Sequence, residues 1–378
     1  MEKKHFVNLS IIIGIYLLIL FFFKQQIFTY QFDHKLINRY FCSQDIPYEP
    51  NCPREWLSDE ELHIAAGYLY STGSDPAEID FQHMPLIAYF YGFSVLAFNN
   101  PYYVEIIFGL LFLSLVYLLG IKIYKSEKVS IIACLLFLID PLFLDLSSQA
   151  SYELGQAVFI LLYFYFIIFH EKNFLLRGIT LGLIATSKFW GAALFFVMFF
   201  NAYKILTRNF KLRIFILSLI TGFITFSIVY FQSYILRNFQ FNIVFLQLKI
   251  LKYWLTHSIT NIPFASLILF TTGFFKSWWD NHEILRTQPW SIIWPVSLLT
   301  SLIVGLKLLL SKKFIPVLLV SAIPFSYLVY LGVQAPFSRY FILILPFSYL
   351  SFAKFTIPFF IILKKHINIA ISKIIYVK

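Results

Sequence analysis

Asp59 and Glu60 stand side by side, with His63 four positions after Asp59 and His83 about twenty residues beyond that. A carboxylate beside an acceptor hydroxyl can take its proton, and a cation nearby can hold a departing phosphate. Two cations suit the second task. Lys188 is followed by Phe189-Trp190-Gly191, and Arg339 follows Pro336 and Phe337 at the start of an apolar run. Ionisable groups near membrane depth are costly and mark function, although a lysine at a span end also reaches the interface as a plain anchor. Adjacent acids equally suit the first turn of a helix through its dipole, and His83 ahead of Pro85 suits a structural hydrogen bond. Carboxylate and imidazole together are also the ligand types of a divalent ion, so Asp59, Glu60, His63 and His83 are a possible metal set.

The elements that must position these groups lie in a membrane. The 378 residues are 59% hydrophobic and 20% aromatic, with 13% charged and a mean hydropathy of +0.75, more apolar surface than a soluble core hides. An all-α polytopic bundle is expected. About ten runs approach the length of a spanning helix, at 6–23, 102–124, 128–147, 151–169, 174–188, 190–206, 214–236, 289–311, 314–333 and 340–363. The fifth and sixth are short and the third is interrupted by Asp140-Pro141, irregularities that membrane proteins keep where a cavity is lined. No small-residue cleavage site follows Phe21-Phe22-Phe23-Lys24, so the first run reads as an uncleaved anchor.

Basic residues fix the expected orientation, because short Lys/Arg-rich loops stay cytoplasmic. With both termini inside, loops 122–128, 170–177, 204–213 and 307–313 and the tail from Lys364 carry the cations. The opposite face receives 24–101, with ten acids against four Lys/Arg, and 237–288. The net charge of +11 is then a topology signal and argues little for nucleic acid. Within 24–101, Ser58 as an N-cap with Glu61 three residues later predicts a helix through 62–71 with the carboxylates in its first turn, and 86–98 reads as a helix lying in the interface. Cys42 and Cys52 fall on the side where oxidation is permitted and are candidates to pair, while Cys134 reads as a buried apolar residue. Six of the seven tryptophans fall toward the external side, which suits an interfacial belt or a sugar or lipid platform.

Asp59-Glu60-x-x-His63 with Ala65-Ala66, Tyr68-Leu69, Gly73 and His83-x-Pro85-Leu86 resembles the first external loop of the protein O-mannosyltransferase and lipid A aminoarabinose transferase superfamily. Met84 stands where that family has a proline. Gly182-Leu183, then Ser187-Lys188-Phe189-Trp190-Gly191, is similar to a later segment of the same family, as is Ser338-Arg339-Tyr340 with Leu345-Pro346. The resemblance implies a C-type glycosyltransferase fold and a polyprenyl- or dolichyl-phosphate sugar donor. By position it makes Asp59 the base, Glu60 its partner in the acceptor site and Lys188 a phosphate contact. The family's charged residue after the third span has no obvious counterpart, and Glu153 is the candidate to replace it. Trp278-Trp279-Asp280 matches the Trp-Trp-Asp of oligosaccharyltransferase catalytic subunits, where it sits in a soluble domain, and is read as coincidence.

The expectation is therefore an inverting, multi-pass glycosyltransferase over 1–378, acting at the external face on a glycan, lipid or protein acceptor. It needs no cofactor beyond a possible divalent metal. Asp59 and Glu60 would carry the chemistry, Lys188 and Arg339 the donor phosphate, and His63, His83 and Glu153 the support. A flippase of lipid-linked sugars would also want a basic cavity, but with charges near the midplane and related halves. A non-catalytic subunit would need no catalytic geometry in the acidic loop.

Overall fold

The computed structural model describes residues 3–46, 52–257, 260, 262–277, 283–313 and 315–357. Among them, five helices are long and apolar enough to cross a membrane: Lys3–Phe23, Tyr103–Tyr124, Tyr152–Phe169, Leu212–Val229 and Ile293–Leu310. Shorter apolar helices, Phe174–Ser187, Trp190–Leu206, Pro316–Tyr330 and one over 345–357, complete a polytopic all-α bundle.

Two expected spans are broken. The run 128–147 divides into Glu127–Leu138 and Pro141–Leu146. Asp140 causes the break: its carboxylate accepts the backbone N–H groups of Leu142 and Phe143 at 2.9 and 3.0 Å, and Pro141 takes the first helical position. Its other oxygen accepts Trp294 Nε1 at 2.8 Å and the Tyr349 hydroxyl, so one buried carboxylate ties three segments together. Trp294 is thus wholly buried and not part of an interfacial belt. The run 214–236 ends its first helix at Val229 and resumes as Phe231–Leu236.

Close packing uses small residues, as expected where lipid offers no hydrophobic drive between helices. Leu212–Val229 buries only Ser218, Gly222 and Phe226. That stripe faces Gly178 and Gly182, where an added Cβ would strike the backbone oxygens of Ser218 and Gly222 and the Thr221 and Thr225 side chains.

The segment 24–101 is built as its sequence demands. Ser58 Oγ accepts the Glu61 N–H at 3.2 Å while Glu61 Oε2 accepts the Ser58 N–H at 2.9 Å, a reciprocal cap that starts the helix at Asp59 and puts the carboxylates in its first turn, as the sequence predicts. This helix, Asp59–Ser71, crosses Leu86–Phe98 at Gly67 and Gly92, where either Cβ would meet the partner backbone. Leu86–Phe98 buries Ile87, Ala88 and Tyr91 against the bundle and leaves Phe93, Leu96 and Phe98 exposed. Cys42 and Cys52 form a disulfide with Cα atoms 5.8 Å apart. Arg39 reaches Glu55 and Glu61, each at 2.8 Å, and joins that loop to the carboxylate helix.

The segment 237–288 holds helices Ile243–His257 and Ala265–Thr272 and a two-stranded hairpin, Phe274–Lys276 with Ile284–Arg286. It meets 24–101 through a small core including Met84, Tyr230 and Ile250, and its first residue, Arg237, binds Asp75 at 2.6 Å. Trp278-Trp279-Asp280 lies outside the described residues. Cys134 is fully buried within its helix.

Candidate active site

The carboxylate helix aims its first turn at the end of the bundle where four chain-distant segments converge. Arg339, in the 3-10 turn Ser338–Leu343, donates from Nη1 to Asp59 Oδ2 at 2.6 Å. Its Nε stands 2.9 Å from Oε1 of Glu153, the second residue of Tyr152–Phe169. The same Glu153 oxygen takes the ammonium of Lys188, which closes the break between Phe174–Ser187 and Trp190–Leu206. The result is one ion chain, Asp59–Arg339–Glu153–Lys188. Its inner end is deeply buried, with Glu153 at 0% and Lys188 at 5% exposure, whereas the Asp59 side chain is 54% exposed. Lys188 also lies 4.8 Å over the Tyr340 ring and Arg339 lies 4.6 Å over Phe337.

This chain runs between two cavities of different character. One, of about 220 Å³, is polar and is lined by Asp59, Glu60, His63, Asp145, Gln149 and Arg339. The other, of about 200 Å³, is aromatic and apolar, with Lys188 its charged wall group among Trp254, Tyr327, Tyr330 and Tyr340. Arg339 faces the first and Lys188 the second, with Glu153 joining them.

Burial pushes the Asp59 carboxyl up, but Arg339, His63 and His83 more than offset it and hold the group well below the usual carboxylate range. Asp59 is therefore ionised at neutral pH. Its neighbour Glu60 accepts the backbone N–H of Ala150 at 3.0 Å, which fixes the 147–151 turn against the carboxylate helix.

Behind Asp59 lies a second cluster. The His63 ring stacks on Tyr152 with centroids 3.7 Å apart and its Nδ1 meets the Ala150 carbonyl at 3.0 Å. His83 Nδ1 is 2.7 Å from Oδ1 of Asp80, and Asp80 Oδ2 accepts the Tyr152 hydroxyl at 3.3 Å. Burial, with His83 beside it, pushes His63 down to about 4, and burial with nearby Lys188 does the same to His83. Both imidazoles are neutral at neutral pH. Burial pushes the Asp80 carboxyl up to about 7 against the opposing pull of the Gln82 and Tyr152 hydrogen bonds. Next to His83, the Met84 N–H donates to the Lys188 carbonyl at 3.2 Å, joining the first loop to the segment that carries the lysine.

The structure thus brings Asp59, Glu60, His63, His83, Glu153, Lys188 and Arg339 into one place, although 280 residues separate Asp59 from Arg339. The sequence reading missed Asp80, Tyr152 and Tyr340. Tyr340 was visible within Arg339-Tyr340, and Asp80 only as an acid three residues before His83. The metal-ligand grouping also differs from the expected set: His63 and His83 gather with Asp80, while Asp59 and Glu60 turn to Arg339 and Ala150.

No protein-family model matches the chain, and no curated protein matches it. Solved structures do. The crystal structure of ArnT from Cupriavidus metallidurans bound to undecaprenyl phosphate superposes with a TM-score of 0.58 at 12% identity, covering 84% of this chain and 58% of that one. The apo state of the same protein gives 0.58 at 13% identity, covering 84% and 57%. The likeness is one of fold, that of a C-type glycosyltransferase, and this chain spans under three fifths of the length of those structures.

Proposed function

We propose that this chain is an integral-membrane glycosyltransferase that moves a sugar from a polyprenyl-phosphate carrier to an acceptor hydroxyl at the face bearing 24–101, with that face external and the termini cytoplasmic. The observation that carries the reading is the ion chain between a polar and an apolar cavity. A lipid-phosphate sugar has the same three parts in the same order: an apolar tail, an anion and a polar sugar. The tail suits the aromatic cavity, the phosphate suits Lys188 and Arg339, and the sugar and acceptor suit the polar cavity around Asp59 and Glu60. The fold shared with a protein crystallised with undecaprenyl phosphate supports the same donor class.

In the reaction the acceptor oxygen attacks the anomeric carbon as its proton passes to Asp59. The bond from that carbon to the phosphate oxygen breaks, and its electron pair leaves on the phosphate, whose charge Lys188 and Arg339 stabilise. Attack opposite the leaving group inverts the centre. In the resting protein Asp59 is already paired with Arg339. An arriving phosphate competes for that guanidinium, which loosens the pair and raises the proton affinity of Asp59 when an acceptor is to be deprotonated. His63, one turn along the helix, and His83 support the site from behind.

A purified-protein assay with polyprenyl-phosphate sugars tests the division of labour. Asp59→Asn should bind donor nearly as well as the parent and lose turnover, while Lys188→Ala should weaken donor binding and Lys188→Arg retain part of it. Unchanged donor use by a folded Lys188→Ala protein would remove the phosphate role, and full activity of Asp59→Asn would remove the base.

A further inference from the structure

We infer that His63, Asp80 and His83 form a binding site for a divalent transition metal of the zinc class, placed to clamp the carboxylate helix to the segment that carries Lys188. One ligand atom from each of the three lies within 4.8 Å of the other two. Tetrahedral zinc with bonds of about 2.0–2.1 Å places its ligands roughly 3.3 Å apart, so small side-chain rotations close the set. The proton that His83 and Asp80 share leaves as the ion enters.

His63 carries the strongest sign of a ligand. The residue is 2% exposed, and its Nδ1 is engaged by the Ala150 carbonyl, which places the ring proton there and leaves Nε2 as a bare lone pair. Among the described residues Nε2 is buried and has no hydrogen-bond partner. A buried acceptor without a donor is costly, and an imidazole with Nδ1–H on a carbonyl and Nε2 free is the posture of a metal-bound histidine. Two imidazoles and one carboxylate match the protein ligands of many zinc sites, with a fourth position left for water. The surrounding charge also favours a cation: Asp45, Asp59 and Glu153 join Asp80, against Lys188 and Arg339. Asp45 is tied in through the Tyr40 hydroxyl and Gln82 Nε2.

The position gives the ion a task. His63 is one turn from Asp59 on the same helix, and His83 precedes Met84, whose N–H holds the Lys188 carbonyl. An ion joining them would hold the base and the phosphate-binding lysine at a set separation. That task rests on the function proposed above, but the binding does not.

The test uses the full-length protein purified in detergent, its metal content measured by mass spectrometry, then stripped with chelator and titrated with zinc and with cobalt as a spectroscopic probe. The parent should take up one equivalent of each ion, with the absorption of a low-symmetry cobalt site, and its unfolding midpoint should rise with zinc. Asp80→Asn and His63→Gln should each lose more affinity than the roughly 10–100-fold typical of outer-shell changes, whereas Asp59→Asn should bind the ion as the parent does and still be inactive. A folded, stripped parent that takes up neither ion overturns the inference, as does affinity unchanged in folded Asp80→Asn and His63→Gln proteins. If those variants do not fold, the parent titration alone decides. Loss of the ion with donor turnover intact would remove only the clamping task.

Discussion

Replacing Glu153 with glutamine tests the ion chain at its centre. The variant keeps the shape of the side chain and an oxygen for Lys188, but removes the one charge facing both Lys188 and Arg339. Breaking a buried pair costs about 3–5 kcal/mol, because the surviving charge stays desolvated. Lysine has an escape, since giving up its proton at pH 7 from an ordinary value near 10.4 costs roughly 4.6 kcal/mol. The loss therefore saturates near the top of that range. Arg339 has no such escape, but it keeps Asp59. A bound phosphate would supply the missing negative charge, so the donor lipid should stabilise the variant by more than it stabilises the parent, and by up to what the pair was worth. The assay is the unfolding midpoint in detergent with and without a polyprenyl phosphate at matched concentration. Without lipid the variant should melt below the parent, and with lipid the gap should narrow. Equal lipid-induced shifts in the two proteins would refute the seating of phosphate on Lys188 and Arg339.

Arg339→Gln removes the largest influence holding the Asp59 carboxyl below its ordinary range. A base must be ionised, so the acidic limb of kcat/KM should move to higher pH in the variant; a limb that stays in place would show that Asp59 is not the group titrating. The sign for stability agrees: the depressed carboxyl favours the folded state above the usual carboxylate range, and that contribution fades as pH falls. Cys42→Ser should cost roughly 2–3 kcal/mol for reopening a loop of about ten residues, measured by denaturation with and without reductant, and should leave a reduced parent no more stable than the variant. Gly182→Leu should drive the Phe174–Ser187 and Leu212–Val229 helices apart at a cost of about 1–3 kcal/mol or more, seen as a lower midpoint and loss of monodispersity.

Fold class and the local architecture of the acidic segment were legible because each rests on a short-range rule. Ser58 and Glu61 announce a reciprocal cap wherever they stand, and Asp140-Pro141 announces a helix start even inside an apolar run. The disulfide needed only two cysteines ten residues apart in a segment expected on the oxidising side. The carboxylates of the first turn, Asp59 to Glu61, followed from the same cap. Trp294 was misplaced. Indole at a span end usually marks the interface, and only the distant Asp140, fixed by the break in another helix, makes burial of this one favourable. Asp80 was illegible because nothing local separates it from the other acids; His63, seventeen positions earlier, and Tyr152 across the fold single it out.

The pairing of Lys188 and Arg339 follows from where the site is. A cation that awaits an anionic lipid beside an apolar cavity cannot stay bare, because desolvating an unpaired ion costs more than the fold can supply. Glu153 answers this for Lys188 and Asp59 answers it for Arg339, but the two answers differ. Glu153 is wholly buried, and its second oxygen is without a hydrogen-bond partner among the described residues, so it is a fixed counter-ion. Asp59 is half open to solvent, so water can take its partner's place more readily than it can for Glu153. On the proposed function the inner pair persists and the outer pair exchanges, so that a phosphate taking the guanidinium would free a carboxylate in the polar cavity.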